Sequence, residues 1–185
     1  MATKDPVHVA QRCLCLELLF QRLALESDDE EPVANREKAR AMWLSRLGDL
    51  GIDDALSDEE RALLDTPVGA LSEDDLDDLD GRTTGALVLA WALGRIDARP
   101  TFASTNAIAE ALADHGLLGD GSITRARAAA ESARLRPDDE IEAARAAYER
   151  TRGKAREVTD PEKIFAEIAA HHLDWVLDDA MDFEE

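Results

Sequence analysis

The chain has 185 residues, 45% of them hydrophobic, and its 41 Asp and Glu against 21 Lys and Arg give a formal charge of −20. This length can bury a core of its own without a metal or a disulfide. So large a negative charge repels phosphate backbones and anionic lipid surfaces at long range, which argues against nucleic-acid and membrane partners. No segment approaches the roughly 18 uncharged apolar residues of a membrane span, and the N-terminus lacks a signal-peptide pattern. We therefore expect a cytoplasmic protein.

Helical periodicity begins near the start of the chain. Apolar residues recur at every third or fourth position from Val9 to Phe20, which predicts a helix over residues 7–25. An acidic stretch that ends in a proline follows and breaks this helix. A second helix is predicted over residues 34–47, with Gly48 as its stop.

Two pairs of a serine and an acid mark the next helix starts. Ser57 and Glu60 have the spacing of a capping box and predict a short helix. Ser72 and Asp75 form a weaker version of the same signal, ahead of the acidic run and the apolar "GALVLAWALG". These features predict a buried central helix near residues 73–93.

Four more helices are predicted in the second half of the chain: residues 106–115, a helix that opens after Ser122, residues 138–157, and a last helix that ends near Asp178. The last helix is predicted to begin with a capping box of Thr159 and Glu162, with Pro161 in its first turn.

The fold class predicted from these elements is all-α. Seven or eight helices with short loops indicate a single-domain, irregular orthogonal bundle around the helix near residues 73–93. The single domain is expected to cover residues 1–185, with a short acidic tail at 179–185.

The two cysteines, Cys13 and Cys15, lie two residues apart in an apolar run. On a helix they point in roughly opposite directions, so they cannot share an ion or bridge to each other. Buried, reduced thiols are the expected state.

The segment "EDDLDDLDG", residues 73–81, invites a comparison with a calcium-binding loop. With Gly81 at the turn position of an EF-hand, Leu76 and Leu87 occupy the first and last ligand positions, where oxygen ligands are required. The segment is therefore interpreted as the opening turns of the central helix, with its carboxylates in water.

The last helix carries the candidate site. Four residues form one stripe along it: Glu167, His171, Asp174 and Asp178. This stripe can bind a divalent metal if a second helix supplies further ligands. It is also what the solvent side of an amphipathic helix looks like, opposite a stripe that contains His172. No cofactor is expected, because the sequence has no nucleotide-binding loop and no recognisable nucleophile with its base.

The segment "GRTTGALVLAWALGRI", residues 81–96, resembles the family catalogued as domain of unknown function 4272. Shorter likenesses at "ARLRPDDEI", residues 133–141, and "HHLDWVL", residues 171–177, occur in the same order. The resemblance implies a mainly helical bacterial protein with no known reaction. The chain departs from the family pattern at Gly81, where the family has Trp, and at Thr84, where it has Glu.

Three residues of these segments stand out. Trp91 and Trp175 are interpreted as core anchors, since each can bury a large apolar area. Arg82 follows the acidic run on a helix that is expected to be largely buried. It is predicted to form an internal ion pair or to bind a ligand.

Two functions follow from these features. The first is a non-enzymatic protein that binds another protein, as a regulatory, adaptor or immunity-type domain; its acidic surface favours a basic partner. The alternative is an enzyme or a ligand- or metal-binding domain that uses the His171 face of the last helix together with Arg82. A pocket with Arg82 or His171 in its wall favours the alternative, and an acidic face with an exposed apolar patch favours the first. Mimicry of nucleic-acid charge comes third, and the oligomeric state stays open.

Overall fold

The computed structural model describes residues 3–104, 110, 112, 117, 118, 122–154 and 160–181. Within these ranges the chain forms seven α-helices and no β-strand. The helices are α1 (Pro6–Ser27), α2 (Val33–Leu50), α3 (Asp58–Asp65), α4 (Glu73–Ala92), α5 (Ile123–Glu131), α6 (Asp138–Lys154) and α7 (Pro161–Leu177). The all-α prediction is confirmed.

Helix α4 is the centre of the bundle. Helix α1 packs along it on one side and α7 on another, and α6 packs against α7. Every residue from Thr83 to Leu93 is buried. A helix that is apolar on all sides requires cover from all sides, and these neighbours supply it. This confirms the predicted central helix near residues 73–93.

The serine caps form as predicted. Ser57 and Ser72 each accept a hydrogen bond from the backbone N–H three residues on, and the acid at that position binds back to the serine N–H. Ser122 likewise caps α5. The "EDDLDDLDG" segment is therefore the start of α4, with Leu79 buried and Asp77 exposed.

Two predicted helix boundaries were wrong. Helix α2 continues through Gly48 to Leu50 and is capped by Gly51, whose φ of 69° is left-handed. The Gly51 N–H donates to the Leu47 carbonyl. The extra turn allows Leu50 to be buried. The N-cap of helix α7 is Asp160, one residue after the predicted position 159, because the Asp160 side chain accepts the Glu162 N–H at 3.0 Å.

Several predictions lie outside the described residues. They concern the helix over 106–115, the end of the predicted helix 138–157, Thr159, and the last four residues of the acidic tail 179–185. Of the helices that the structure describes, none is both long enough and apolar enough to cross a membrane.

Arginine side chains satisfy backbone carbonyls at the ends of helices. Arg22 and Arg40 both donate to carbonyls at the end of α3, and Arg136 donates to the Trp91 carbonyl at the end of α4 at 2.7 Å. The last carbonyls of a helix have no partner within it and carry negative partial charge, so a guanidinium with several donors suits them. Some of the chain's arginines therefore stabilise the packing of the helices.

Candidate functional site

A buried carboxylate joins three helices. Glu60 of α3 has no exposed surface, and its two oxygens accept hydrogen bonds from Arg12 of α1, each at 2.6 Å. Arg82 of α4 donates to the same carboxylate. The Ser57 N–H donates to it as well, at 3.1 Å. Glu60 therefore links α1, α3 and α4 while it completes the cap of its own helix.

The positive charges around Glu60 lower its pKa more than its burial raises it. Burial alone would raise the pKa of Glu60, but the hydrogen bonds and charge of Arg12, with the charge of Arg82, hold this pKa below its usual value. A carboxylate that is buried in this way stays ionised because both cations and a backbone donor surround it. Loss of the Glu60 charge would leave Arg12 and Arg82 without the counter-charge that they share in the interior.

Arg82 is the member of this cluster that reaches the surface. Its side chain is 17% exposed. Beyond Glu60, its Nε and Nη2 contact Asp78 at 3.0 Å, and Nη2 lies 3.7 Å from Glu59. The positive charge of Arg82 is thus shared among three carboxylates, which are Glu59, Glu60 and Asp78.

Helices α4 and α7 meet closely beside this cluster, at Gly85 and His172. The His172 ring forms the floor of the space next to the cluster. A Cβ atom added to Gly85 would lie 2.6 Å from Cε1 and 2.9 Å from Cδ2 of His172. The His172 ring therefore occupies space that only glycine leaves open. Its Nδ1 lies 2.8 Å from the Ile168 carbonyl oxygen. Since a carbonyl can only accept, Nδ1 carries the proton and Nε2 is the unprotonated nitrogen of the neutral ring.

Burial keeps this histidine neutral. His172 is 6% exposed, and its burial, against the opposing effect of the Ile168 carbonyl, lowers its pKa to about 4. At neutral pH the ring therefore adds no charge to its surroundings.

A cavity of about 410 Å³ opens between α1, α4 and α7 above this floor. Its walls combine apolar and charged side chains from all three helices: Arg12, Leu16, Asp78, Gly81, Arg82, Glu167, Ile168, His171 and His172. The volume lies within the range of small-molecule sites, which are mostly apolar with a few polar groups placed among them. The structure thus brings Arg82 into one cavity with Glu167 and His171, the first two residues of the predicted α7 stripe.

The other two residues of the stripe lie elsewhere. Asp174 accepts a hydrogen bond from Arg145 of α6 at 2.9 Å. Asp178 follows the end of α7 and accepts the Ala180 N–H at 3.0 Å. Among the residues that the structure describes, no three His, Cys, Asp or Glu side chains are grouped to hold one metal ion. The weak metal candidates are therefore divided between a cavity wall, an ion pair and a helix end.

The two predicted anchor residues lie in the core. Trp91 and Trp175 are 3% and 1% exposed. The Arg136 guanidinium lies 5.0 Å from the centre of the Trp91 ring, and the Lys4 ammonium lies 4.9 Å from that of Trp175. Each indole therefore has a cation near its ring as well as apolar neighbours. The cation is attracted to the electron-rich face of the ring.

A second cavity, of about 750 Å³, shares Gly81 and Ile168 with the first. Its lining includes Asp77, Asp80, Phe102 and Ile164. Four large apolar side chains of the described residues are exposed, namely Val33, Met42, Phe102 and Ile164. Two of these four line this cavity, so the exposed apolar surface is concentrated there.

A second buried acid was not predicted from the sequence. Glu17 of α1 is 2% exposed and accepts the Leu117 and Leu118 N–H groups at 2.9 and 2.8 Å. Its burial raises its pKa to about 7, although both hydrogen bonds act in the opposite direction. Nothing in the local pattern sets Glu17 apart, except that it is an acid on the apolar stripe of α1.

Arg12 and Glu60 were also missed as members of the cluster. The sequence pattern assigns Glu60 only to a helix cap, and Arg12 only to the opening helix. The available signal was weak: each is a charged residue close to leucines on a helix that must bury one face.

Comparison with known proteins gives a family and no function. No curated protein matches the chain, and no solved structure matches it. A family profile described as "Domain of unknown function (DUF4272)" matches residues 1–178, which is nearly the whole chain. The chain therefore belongs to the DUF4272 family.

Proposed function

We propose that this protein binds a small molecule in the cavity between α1, α4 and α7. The observation that carries the proposal is the cavity itself, because it joins Arg82, Glu167 and His171 with apolar side chains around a volume of about 410 Å³. A pocket with these residues in its wall is the feature that favours the ligand-binding alternative. The proposal includes a bacterial, cytoplasmic protein, a location that fits its two buried free thiols.

The structure of the walls supports binding rather than mere packing. Arg12 and Glu60 fix each other by paired hydrogen bonds, and the bond to the Ile168 carbonyl holds the His172 ring against Gly85. Arg82 is held in turn by Asp78. Side chains that are held by a second layer of contacts lose little entropy when a ligand arrives, which favours affinity.

The test is to fill the cavity and measure binding. A Cβ on Gly81 meets only Ile168 Cδ1, at an ordinary 3.5 Å, so Gly81→Leu is compatible with the backbone and occupies the space of a ligand. Gly153→Leu is the matched control, because a Cβ there has no neighbour within 4 Å. A metabolite library is screened by thermal shift, since a ligand that binds only the folded state raises Tm.

We expect hits that raise Tm for the natural chain and for Gly153→Leu and that fail with Gly81→Leu. Hits that act equally on both variants place the ligand elsewhere and overturn the proposal. A screen without hits, in a protein whose purified form carries no small molecule by native mass spectrometry, also overturns it.

The second cavity favours a second candidate, a protein-binding role of the regulatory, adaptor or immunity type. Phe102 and Ile164 are 50% and 47% exposed along it, and the carboxylates of Asp77 and Asp80 stand beside them. An apolar surface with an acidic edge suits a segment in which lysines or arginines flank an apolar side chain. With the net charge of −20, association with such a segment is expected to be fast and to weaken with salt.

Fluorescence anisotropy with two labelled peptides tests this role. One peptide has lysines around a leucine–phenylalanine pair, and its twin has glutamates in their place. We expect only the lysine peptide to bind, and Ile164→Asp to weaken it more than Val33→Asp, which changes an equally exposed apolar residue on α2. Equal binding of both peptides, or equal effects of both variants, counts against this role.

A further inference from the structure

Among the residues that the structure describes, some charged groups around the cavity are paired within the protein and one is not. This difference indicates which charge the ligand carries. Arg12 directs its two terminal nitrogens to the Glu60 carboxylate and the Ala55 carbonyl. Arg82 directs its donors to Glu60 and Asp78, with Glu59 close by. Both positive charges at the cavity are therefore already matched by carboxylates of the protein.

Glu167 differs from these groups. It is exposed on α7 at the cavity wall. Within the part of the chain that the structure describes, it makes no hydrogen bond and no ion pair. Arg12 and Arg82 contact Glu59, Glu60 and Asp78, and Glu167 lines the same cavity. In and around the cavity, four carboxylates therefore accompany two guanidinium groups.

The electrostatic field of the whole chain also favours a cationic ligand. The chain carries a net charge of −20, and clefts concentrate the field of the charges that line them. An anionic ligand is repelled from this surface, and it finds the two arginines occupied. A cationic ligand is attracted, and it finds a carboxylate at the wall. The apolar part of the wall, formed by Leu16, Gly81 and Ile168, suits a hydrocarbon or aromatic body.

We infer that the ligand of this cavity is a small organic amine, with its ammonium group on Glu167 and its apolar body against Leu16 and Ile168. The inference rests on the proposed small-molecule function and names the chemical class for the same site. Burial of the neutral His172 ring in the floor adds no positive charge that would oppose an ammonium group.

Three probes that share one ring system separate the class of ligand from the existence of the site. Tryptamine carries an ammonium group at neutral pH, tryptophol a hydroxyl group, and indole-3-acetate a carboxylate. Binding is followed by the NMR shifts of the Ile168 and Leu16 methyl groups in the full chain. We expect saturable shifts with tryptamine, at least about tenfold weaker binding of tryptophol, and the weakest binding with indole-3-acetate.

A matched pair of variants tests the role of Glu167. Glu167→Gln removes the carboxylate at the cavity, and Glu162→Gln removes the same charge from an exposed position on the same helix, outside the lining residues. We expect tryptamine binding to weaken about tenfold in Glu167→Gln and less than about twofold in Glu162→Gln.

The outcomes are distinct. Equal binding of tryptamine and tryptophol, or tightest binding of indole-3-acetate, overturns the amine class and leaves the cavity as a binding site. Equal effects of the two variants overturn the assignment to Glu167. If none of the three probes shifts the Ile168 and Leu16 methyl groups, the amine proposal and the cavity function fail together.

Discussion

The contact between Gly85 and His172 allows a sharp prediction, because two physical effects act on it with opposite sign. In the interior of a helix, Gly→Ala normally stabilises by about 0.5 to 1 kcal/mol through lower backbone entropy in the unfolded chain. At Gly85 the new methyl group would meet His172 ring atoms at 2.6 and 2.9 Å. Even 3.0 to 3.4 Å is tighter than most real Cβ contacts, so the ring or the helices must move.

The ring has little room to move. It is held by its bond to the Ile168 carbonyl and is buried between α4 and α7. Overpacking of a core costs about 1 to 3 kcal/mol. Because the ring is held, we expect a steric cost of about 2 to 3 kcal/mol, which exceeds the helix-propensity gain and gives a net loss of about 1 to 2 kcal/mol.

Gly81 is the control on the same helix. A Cβ there meets only Ile168 Cδ1 at 3.5 Å, so Gly81→Ala is expected to stabilise by up to about 1 kcal/mol. The free energy of unfolding is measured by urea denaturation, with the slope checked for two-state behaviour. The Gly85→Ala change is repeated in a His172→Ala background, where the clash is absent and the same change is expected to stabilise. The coupling energy of this double-mutant cycle is expected to be about 2 to 3 kcal/mol.

The predicted clash is refuted if Gly85→Ala stabilises as much as Gly81→Ala. It is also refuted if the two backgrounds give the same change, because the cost then has another source than the His172 ring.

Three further predictions concern buried ionisable groups. Glu60→Gln is expected to destabilise by about 3 to 5 kcal/mol, because it leaves Arg12 and Arg82 without their shared charge; a loss below about 1 kcal/mol in urea denaturation contradicts this. The folded pKa of Glu17 is raised to about 7 from an unfolded value of 4.5, so its contribution is complete below pH 4.5 and is lost as pH rises to about 7. With about 1.4 kcal/mol for each pKa unit, this loss amounts to roughly 3 kcal/mol. The difference in stability between Glu17→Gln and the natural chain must therefore change across this window, and a constant difference refutes the assignment. The folded pKa of His172 is lowered from 6.5 to about 4, so its contribution is present above pH 6.5 and is lost as pH falls toward 4. Nitrogen-15 NMR is expected to show His172 as the neutral Nδ1–H form at pH 5.5, and a protonated ring at that pH contradicts the structure.

The opposite signs of Glu17 and His172 have a joint consequence. Between about pH 4.5 and 6.5, one contribution falls with rising pH while the other grows. The two dependences oppose each other in the natural chain, and either single variant is expected to reveal the one that remains.

Local signals in the sequence specified the helices of the described chain and their serine caps. The spacing of apolar residues reports which face of a helix must be buried, and Ser57 and Ser72 report where backbone N–H groups need an acceptor. Local signals did not specify the end of α2, since Gly48 and Gly51 are equally able to end this helix. The choice between them depends on whether Leu50 finds a place in the core.

Only the tertiary structure decided which helix faces meet. Arg12, Glu60 and Arg82 are distant in sequence, and their convergence depends on how α1 packs against both α3 and α4. The same holds for Gly85 and His172, whose contact no local pattern announces. Helical hydrogen bonds join residues four apart and can be predicted from short windows, whereas the cavity depends on the mutual placement of three helices. The sequence by itself therefore determined an acidic, all-helical protein with Arg82 and His171 as candidates, and the packing of α1, α4 and α7 decided that they line one cavity.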